Sequence, residues 1–279
     1  NQDPPLGRPI EIIHEDIGTV GEGQAVRKLV EQDQVDILLS PAHEYFTYRD
    51  WILEVVAEED RPLMPSVHGG VINVDIGGTG GEPIFRAQGL DEGMGVTDIV
   101  YAESIGIETV AMIATETAGF QLMADAAERA AGVVGIEVLD RVNAAESQAS
   151  YRSEVERVGA LGAQALIIMA PPATAGTLVK NVAEAGLSTM ILLESGSGEL
   201  EFYDTATPEA IATQQAVLFP GFAHQENAAW EFFQPLWDGN PEYADRNPAS
   251  AFFPYTTYDL LIVTALAIER DQEITGHCK

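Results

Sequence analysis

Residues 108–139 read ETVAMIATETAGFQLMADAAERAAGVVGIEVL, and this stretch decides the fold class. The apolar run Val110–Ala114 predicts a strand that is buried on both faces, and Gly135–Leu139 predicts a second one. Between them, apolar residues recur at helical spacing from about Phe120 to Ala131. A strand, a helix and a strand in this order form a βαβ unit, whose two strands lie parallel in one sheet.

The same alternation of short apolar runs and amphipathic stretches continues on both sides of this unit. Further strands are predicted at Ile10–Ile13, Val35–Leu39, Leu63–Pro65, Ala165–Met169, Thr189–Leu193 and Ala216–Phe219. Further helices are predicted at Glu92–Ile105 with Asp91 as its N-cap, at Thr174–Ala185, and at Tyr255–Arg270, which is apolar enough to be buried. The chain is therefore predicted to be an α/β protein with a doubly wound parallel sheet.

The balance of charged residues excludes several classes of function. The 279 residues include 44 Asp and Glu against 14 Lys and Arg, which gives a net charge of −30. Binding to nucleic acid needs a basic face, and so does adsorption to an anionic membrane, so we expect neither partner. We interpret the charge as a solvated acidic surface, as in proteins from salty environments. The single cysteine, Cys278, excludes a disulfide framework and a zinc site built on cysteines.

The sequence contains no recognisable motif for catalysis or for membrane insertion. The G-x-S-x-G nucleophile elbow, the P-loop and the H-E-x-x-H zinc motif are all absent. An enzyme would have to use Glu44 with His43 or His68 as an acid–base pair. No apolar run approaches the roughly 18 residues of a membrane helix. We therefore expect no enzyme, no metal, no cofactor and no insertion of this segment into a membrane.

Loops that follow the predicted strands are the places to look for a ligand site, because ligands of open α/β sheets bind outside the carboxyl ends of the strands. These loops are Ser40–Phe46, Ser66–Gly70, Thr115–Phe120 and Glu194–Gly198. Their hydroxyl, imidazole, carboxylate and aromatic groups suit a small polar ligand. The same residues could instead have structural roles. The glycines can serve turn geometry, Glu44 can be an acid at a helix N-terminus, and Tyr45 can pack against the next helix.

Several segments, in the same order, resemble one known protein family. Gly7-Arg8-Pro9-Ile10-Glu11-Ile12-Ile13 is similar to the "GRPIELV" segment of type I periplasmic binding proteins. Phe85-Arg86 and Gly89-Leu90-Asp91 follow in the family's order. Tyr258-Asp259 with Leu260–Arg270 resembles the family's late "YDA…LALAIERAG" helix. More narrowly, the chain resembles the substrate-binding components of ABC transporters for branched-chain amino acids, over essentially its whole length.

The resemblance implies a two-lobed fold with doubly wound parallel sheets joined by a hinge. Lobe one is expected at 1–87 and 221–269, lobe two at 88–220, and a C-terminal tail at 270–279. Members of the family begin with a further strand and helix and close with further strands of the second lobe. We expect this segment of chain to lack both.

The resemblance also implies which residues contact the ligand. The expected ligand-binding residues are His43, Glu44, Tyr45, Ser66, His68, Gly69, Gly70, Asp91, Phe120, Pro171, Glu194 and Ser195. The loop Ser66–Gly70 is expected to hold a ligand carboxylate, and Glu194 or Ser195 to face a ligand ammonium group. Glu44 at a carboxylate-binding position would repel an amino acid, whereas a shift of one residue would place His43 there. Amides and aromatic acids are therefore candidate ligands alongside amino acids.

The function implied by the resemblance is that of an extracytoplasmic solute-binding protein of an ABC transporter, either periplasmic or anchored at the cell surface. It is expected to capture a small polar ligand by hinge closure, with a membrane permease as its protein partner. The alternative is a ligand-sensing domain of a receptor or regulator with the same fold.

Overall fold

A computed structural model describes residues 7, 9–40, 44–57, 64–67, 85–86, 89–213, 217–218, 226–242 and 253–275. The chain divides into two compact units, Asn1–Leu90 with Phe253–Lys279, and Asp91–Phe252. Residues 226–242, which the sequence analysis assigned to lobe one, fall in the second unit. The lobe boundaries themselves stay a prediction.

Strands and helices alternate along most of the described chain. The strands are β1 (Ile37–Ser40), β2 (Met64–Val67), β3 (Phe85–Arg86), β4 (Thr109–Thr115), β5 (Glu137–Ala144), β6 (Ala165–Met169), β7 (Met190–Leu193) and β8 (Val217–Leu218). The helices are α1 (Ile17–Val20), α2 (Glu22–Arg27), α3 (Tyr45–Val56), α4 (Glu92–Ser104), α5 (Ala118–Val134), α6 (Arg152–Gly159), α7 (Pro172–Glu184), α8 (Leu200–Ala206), α9 (Pro208–Thr213), α10 (Ala228–Asp238) and α11 (Phe253–Thr275). Each pairing between described strands is parallel, which confirms the predicted α/β class.

The first unit contains a parallel sheet in the order β1-β2-β3. Helix α2, extended by a π-helical turn at Lys28–Gln32, packs with α3 and β1 around one apolar core. The buried residues of this core are Val26, Val30, Leu38, Tyr45, Tyr48, Ile52 and Val55. The core fixes where β1 ends and α3 begins, at one of the loops that the sequence analysis selected.

The predicted strand Ile10–Ile13 is wrong. The structure gives this segment no regular secondary structure, and Ile10, Ile12 and Ile13 are 45%, 60% and 39% exposed. Apolar β-branched residues make a strand stable only when its backbone groups pair with a neighbour. Within the described residues, no strand pairs with this segment.

Helix α11 forms where a helix was predicted, but the expectation that it is buried holds for one face only. Thr256, Leu260 and Thr264 repeat every four residues and are buried. Val263 and Leu266, on another face, are 59% and 57% exposed. The helix continues to Thr275, into the segment predicted as a C-terminal tail.

The second unit has a parallel sheet in the order β5-β4-β6-β7-β8, the doubly wound arrangement. Because side chains alternate along a strand, each strand contributes to both faces. One face packs on α4 and α5, through residues that include Met94, Ile99, Met112, Ala124 and Ile167. The other face packs on α6, α7 and α8, through residues that include Ile113, Val155, Ile168, Leu178 and Phe202.

Helices α4 and α5 approach each other closely at Gly95. A Cβ atom on this residue would lie 2.0 Å from the carbonyl oxygen of Met123. A glycine is therefore required here, and its contact fixes the position of α4 above the sheet. Asp91 is the N-cap residue of α4, as predicted, but it has helical angles (φ −57°, ψ −36°) and its side chain makes no capping hydrogen bond to the described backbone of α4.

Candidate functional site

The carboxyl ends of the second unit's strands form the candidate site with the clearest topological basis. From β4 the chain passes to α5 on one face of the sheet, and from β6 it passes to α7 on the opposite face. The strand order therefore reverses between β4 and β6. In open α/β sheets the crevice at such a reversal is where ligands bind.

The loop after β4 is held by a hydrogen-bond network that the sequence analysis missed. The Gln121 side-chain amide donates to the carbonyl oxygen of Thr115, at 2.6 Å. Arg141 on β5 donates from Nη2 to Gln121 Oε1, at 2.5 Å, and from Nη1 to Asp125 Oδ1, also at 2.5 Å. Phe120 lies beside this network in the first turn of α5 and is half-buried. The network fixes the end of β4, where the reversal occurs.

The loop after β6 is short and begins a helix at once. Pro171 has an extended backbone (φ −54°, ψ 154°), and Pro172 is the first residue of α7. Proline suits both places, because a first helical residue needs no N–H donor and the ring fixes φ. Pro171 is half-buried and follows the carboxyl end of β6, and its contact with a ligand stays a prediction.

Glu194 follows β7 directly and is buried, with 4% exposure. Its carbonyl oxygen accepts hydrogen bonds from Ser197 Oγ at 2.6 Å and from Ser197 N at 3.1 Å. These bonds close the 3₁₀ turn Ser195–Gly198, which is the loop predicted from the sequence. The side chain of Ser195 lies outside the described residues.

Asp98 on α4 is a second buried carboxyl group, with 2% exposure, and it is not among the site residues predicted from the sequence. Burial raises the pKa of Asp98 well above its ordinary value of 3.8, and the negative charge of Glu194 raises it further. Within the described residues, Asp98 Oδ2 and the fully buried Thr115 Oγ1 have no hydrogen-bond partner. A lone aspartate in a helical stretch gives no sequence signal that separates this position from a solvated one.

In the first unit, Glu44 is bound to the start of another helix. Glu44 Oε2 accepts a hydrogen bond from the backbone N–H of Glu22 at 3.1 Å, and Glu22 Oε2 accepts one from the backbone N–H of Glu44 at 2.9 Å. This is the role at a helix N-terminus that the sequence left open. Tyr45, the next residue, is 1% exposed and packs edge-on against Tyr48, with ring centroids 5.4 Å apart. Ligand contact by Glu44 and Tyr45 stays a prediction.

The other oxygen of Glu22 lies in a buried polar cluster. Glu22 Oε1 accepts from Ser40 Oγ at 2.7 Å and from Tyr48 Oη at 2.6 Å. Burial raises the pKa of the Tyr48 phenol, and so does the Glu22 carboxylate beside it. Three polar side chains thus hold β1, α2 and α3 together at the carboxyl end of β1.

The structure describes only some of the remaining predicted site residues. Ser66 is in β2 and pairs in register with Leu39 and Phe85, while its side chain lies outside the described residues. His43, His68, Gly69 and Gly70 lie outside them altogether. Asp91 is 7% exposed, at the start of α4.

The described residues contain neither a metal-binding cluster nor a membrane-spanning helix. Among these residues, no group of three or more His, Cys, Asp or Glu side chains is arranged to hold a metal ion. None of the helices that the structure describes is long and apolar enough to cross a membrane.

Comparisons with known proteins agree with this fold. Residues 5–234 match the family model described as periplasmic binding protein. No curated protein matches the sequence.

Many solved structures share the fold. A leucine-binding protein from Thermotoga maritima has a TM-score of 0.74 and 16% identity, over 89% of this chain and 68% of its own. A putative branched-chain amino acid ABC transporter protein from Silicibacter pomeroyi has a TM-score of 0.71 and 16% identity, over 95% of this chain and 68% of its own. A third structure is an ABC transporter solute-binding protein from Rhodopseudomonas palustris in complex with 3,4-dihydroxybenzoic acid. It has a TM-score of 0.71 and 14% identity, over 96% of this chain and 72% of its own.

Proposed function

The chain belongs to the periplasmic binding protein family, and from this premise we propose that it is the extracytoplasmic solute-binding component of an ABC transporter. The observation that carries the proposal is the family match over residues 5–234. The ligand is a small polar molecule, an amino acid or a related amide or carboxylate, and the partner is a membrane permease. The chain binds its ligand without chemical change, and ligand binding shifts the protein toward a closed form through its hinge.

Features of the second unit support a binding role. The reversal of strand order between β4 and β6 gives this sheet the usual place for a ligand. The half-buried Phe120 and Pro171 and the buried Glu194 supply apolar surface and a carboxyl group at that end. Apolar surface with a few placed polar groups is typical of small-molecule sites. The relatives described above are named as transport or leucine-binding proteins, which favours transport over sensing.

A thermal-shift series tests the proposal. The wild-type chain is melted with L-leucine, L-leucinamide, benzoate and 3,4-dihydroxybenzoate in turn. A ligand at 100 times its dissociation constant adds about 2.7 kcal/mol to the free energy of unfolding, which raises the melting temperature visibly. We expect at least one compound to do so, and to be recovered from the protein unchanged.

Variants then locate the site. Glu194→Gln is expected to abolish or strongly reduce the ligand-induced shift. Glu201→Gln, on an exposed position of α8, is the matched control and is expected to keep it. A cooperative melt that no compound of this panel shifts would contradict the ligand class proposed. If the ligand raises the melting temperature of Glu194→Gln as much as that of the wild type, Glu194 does not contact the ligand.

A further inference from the structure

Arg141 on β5 is more deeply buried than other arginines that form ion pairs. It stands in register with Met112 of β4, and its side chain faces helix α5. This side chain is 14% exposed, whereas those of Arg129, Arg152 and Arg157 are 63%, 66% and 60% exposed. Burying a guanidinium group costs hydration, so its contacts have to compensate for that loss.

Helix α5 supplies four acceptors to the Arg141 guanidinium. Nη1 donates to Asp125 Oδ1 at 2.5 Å and to Glu128 Oε2 at 3.2 Å. Nη2 donates to Gln121 Oε1 at 2.5 Å and to the carbonyl oxygen of Gln121 at 3.3 Å. Nε is buried and has no hydrogen-bond partner among the described residues. Because the guanidinium is planar and its donors form a rigid fork, these bonds fix the start of α5 against β5.

Gln121 connects Arg141 to the end of β4. Arg141 can only donate, so the side-chain oxygen of Gln121 has to face it, and the NH₂ group then points the other way. That NH₂ group donates to the carbonyl oxygen of Thr115, the last residue of β4, at 2.6 Å. The next backbone N–H, of Glu116, donates to the carbonyl oxygen of Ala144 on β5 at 3.1 Å. The backbone at the reversal of strand order is thus held from both α5 and β5.

We propose that Arg141 is a positioning residue, which acts through Gln121 to hold the end of β4 in the conformation that binds the ligand. The inference rests on the proposed function, in which the ligand lies at the carboxyl ends of these strands. The four Nη–H groups of Arg141 already meet acceptors of α5, so its role is to hold the loop and not to contact the ligand. Binding groups need such support, because a loosely held backbone binds with lower affinity.

Amide hydrogen exchange tests the positioning without a ligand. The reporters are the amides of Glu116 and Gln121, which are both hydrogen-bonded. Arg141→Gln is expected to speed their exchange about tenfold or more, since it removes hydrogen bonds that carry a charge. Exchange in β6 should stay unchanged. The matched control is Arg157→Gln, which breaks a bond of 2.7 Å to Asp140 on the same strand and should leave both reporters as in the wild type.

A second variant covers the case in which Arg141→Gln does not fold. Gln121→Met leaves the ion pairs of Arg141 with Asp125 and Glu128 in place and removes only the link to Thr115. It is expected to speed the exchange of Glu116 as well. Wild-type exchange at Glu116 in a folded Arg141→Gln or Gln121→Met protein would overturn the positioning role.

Titration calorimetry with L-leucine and 3,4-dihydroxybenzoate tests the effect on binding. For a probe that binds the wild type, Arg141→Gln and Gln121→Met should each raise the dissociation constant about fivefold or more, and Arg141→Lys, which keeps the charge, by less. Arg157→Gln should leave it unchanged. The double variant Arg141→Gln with Gln121→Met should bind no more weakly than the weaker single variant, because both act through the Thr115 carbonyl group.

The outcomes separate this inference from the proposed function. Faster exchange with an unchanged dissociation constant overturns the role in binding and leaves the proposed function standing. Additive losses of affinity in the double variant overturn the path through Gln121. No binding of either probe to the wild type counts against both the role in binding and the proposed function, whereas exchange still decides whether Arg141 holds the end of β4.

Discussion

Glu22 and Glu44 each bind the start of the other's helix. The Glu44 carboxylate accepts the backbone N–H of Glu22 at the first residue of α2, and the Glu22 carboxylate accepts the backbone N–H of Glu44 just before α3. Both negative charges lie where helix dipoles favour them. Two acidic residues thus contribute to stability in a chain whose net charge is already −30.

Replacing Glu44 by alanine is expected to destabilise the fold. The variant leaves the N–H of Glu22 without its acceptor, and loss of a cap costs about 1 kcal/mol. Urea unfolding measures the difference, with Glu54→Ala on the exposed face of α3 as control. An unchanged free energy of unfolding combined with lost ligand binding would instead assign Glu44 to the ligand.

Tyr48→Phe is expected to lower the free energy of unfolding at neutral pH by about 1.5–3 kcal/mol, because it removes a hydrogen bond to a buried carboxylate. The phenol's pKa is raised above its ordinary 10.0, so above that pH the unfolded chain loses the proton first and the wild type loses stability. The difference in free energy of unfolding between the wild type and Tyr48→Phe should therefore become smaller as the pH rises above 10.0. Tyr101→Phe, an exposed position of α4, is the control, and a deficit independent of pH would contradict the account.

Gly95→Ala and Gly93→Ala, two positions of α4, are expected to act in opposite directions. The first forces a Cβ to within 2.0 Å of the Met123 carbonyl oxygen and should cost about 1–3 kcal/mol. The second has no atom within 4 Å of its Cβ and should stabilise the helix by about 0.5–1 kcal/mol. Chemical denaturation of both variants gives the comparison. Equal effects would mean that α4 and α5 are further apart than described.

Asp98→Asn should become more stable relative to the wild type as the pH rises. The folded pKa of Asp98 is raised, so above pH 3.8 the unfolded wild type releases a proton that the folded state retains. The free energy of unfolding of the wild type therefore falls as the pH rises from 3.8 to the folded pKa of Asp98. Asparagine does not titrate, so the variant lacks this fall. Denaturation over this range measures the difference. A constant difference between the two proteins would show that Asp98 titrates normally.

Salt is expected to stabilise the protein. With 44 acidic residues against 14 Lys and Arg, repulsion dominates the surface, and added ions screen it. The melting temperature should rise from low to molar salt. A flat curve would show that the surface charge does not limit stability.

The second unit's strands could be predicted from the sequence because they are buried on both faces. Ala165–Met169 was predicted to the residue, since five consecutive apolar side chains fit no solvated element. Ile10–Ile13 is also rich in isoleucine and yet forms no strand, because pairing depends on neighbours that a local pattern does not contain. At this level, composition specifies which segments can be strands and not which ones pair.

The candidate site was harder to predict than the fold. The loop Glu194–Gly198 was found because it follows a clear strand. Asp98 was missed, since its burial depends on the contact of α4 with the sheet, across nearly a hundred residues of chain. The partnership of Glu22 with Glu44 spans 22 residues and joins two helix ends, so no short motif encodes it.

The strand order β5-β4-β6-β7-β8 also has a consequence for biosynthesis. Strand β4 emerges first, β5 joins one edge of it, β6 joins the other, and β7 and β8 extend that edge in turn. Each strand is therefore added to an edge that is still open, and none has to be inserted between two strands already paired. The sheet can therefore assemble strand by strand as the chain leaves the ribosome.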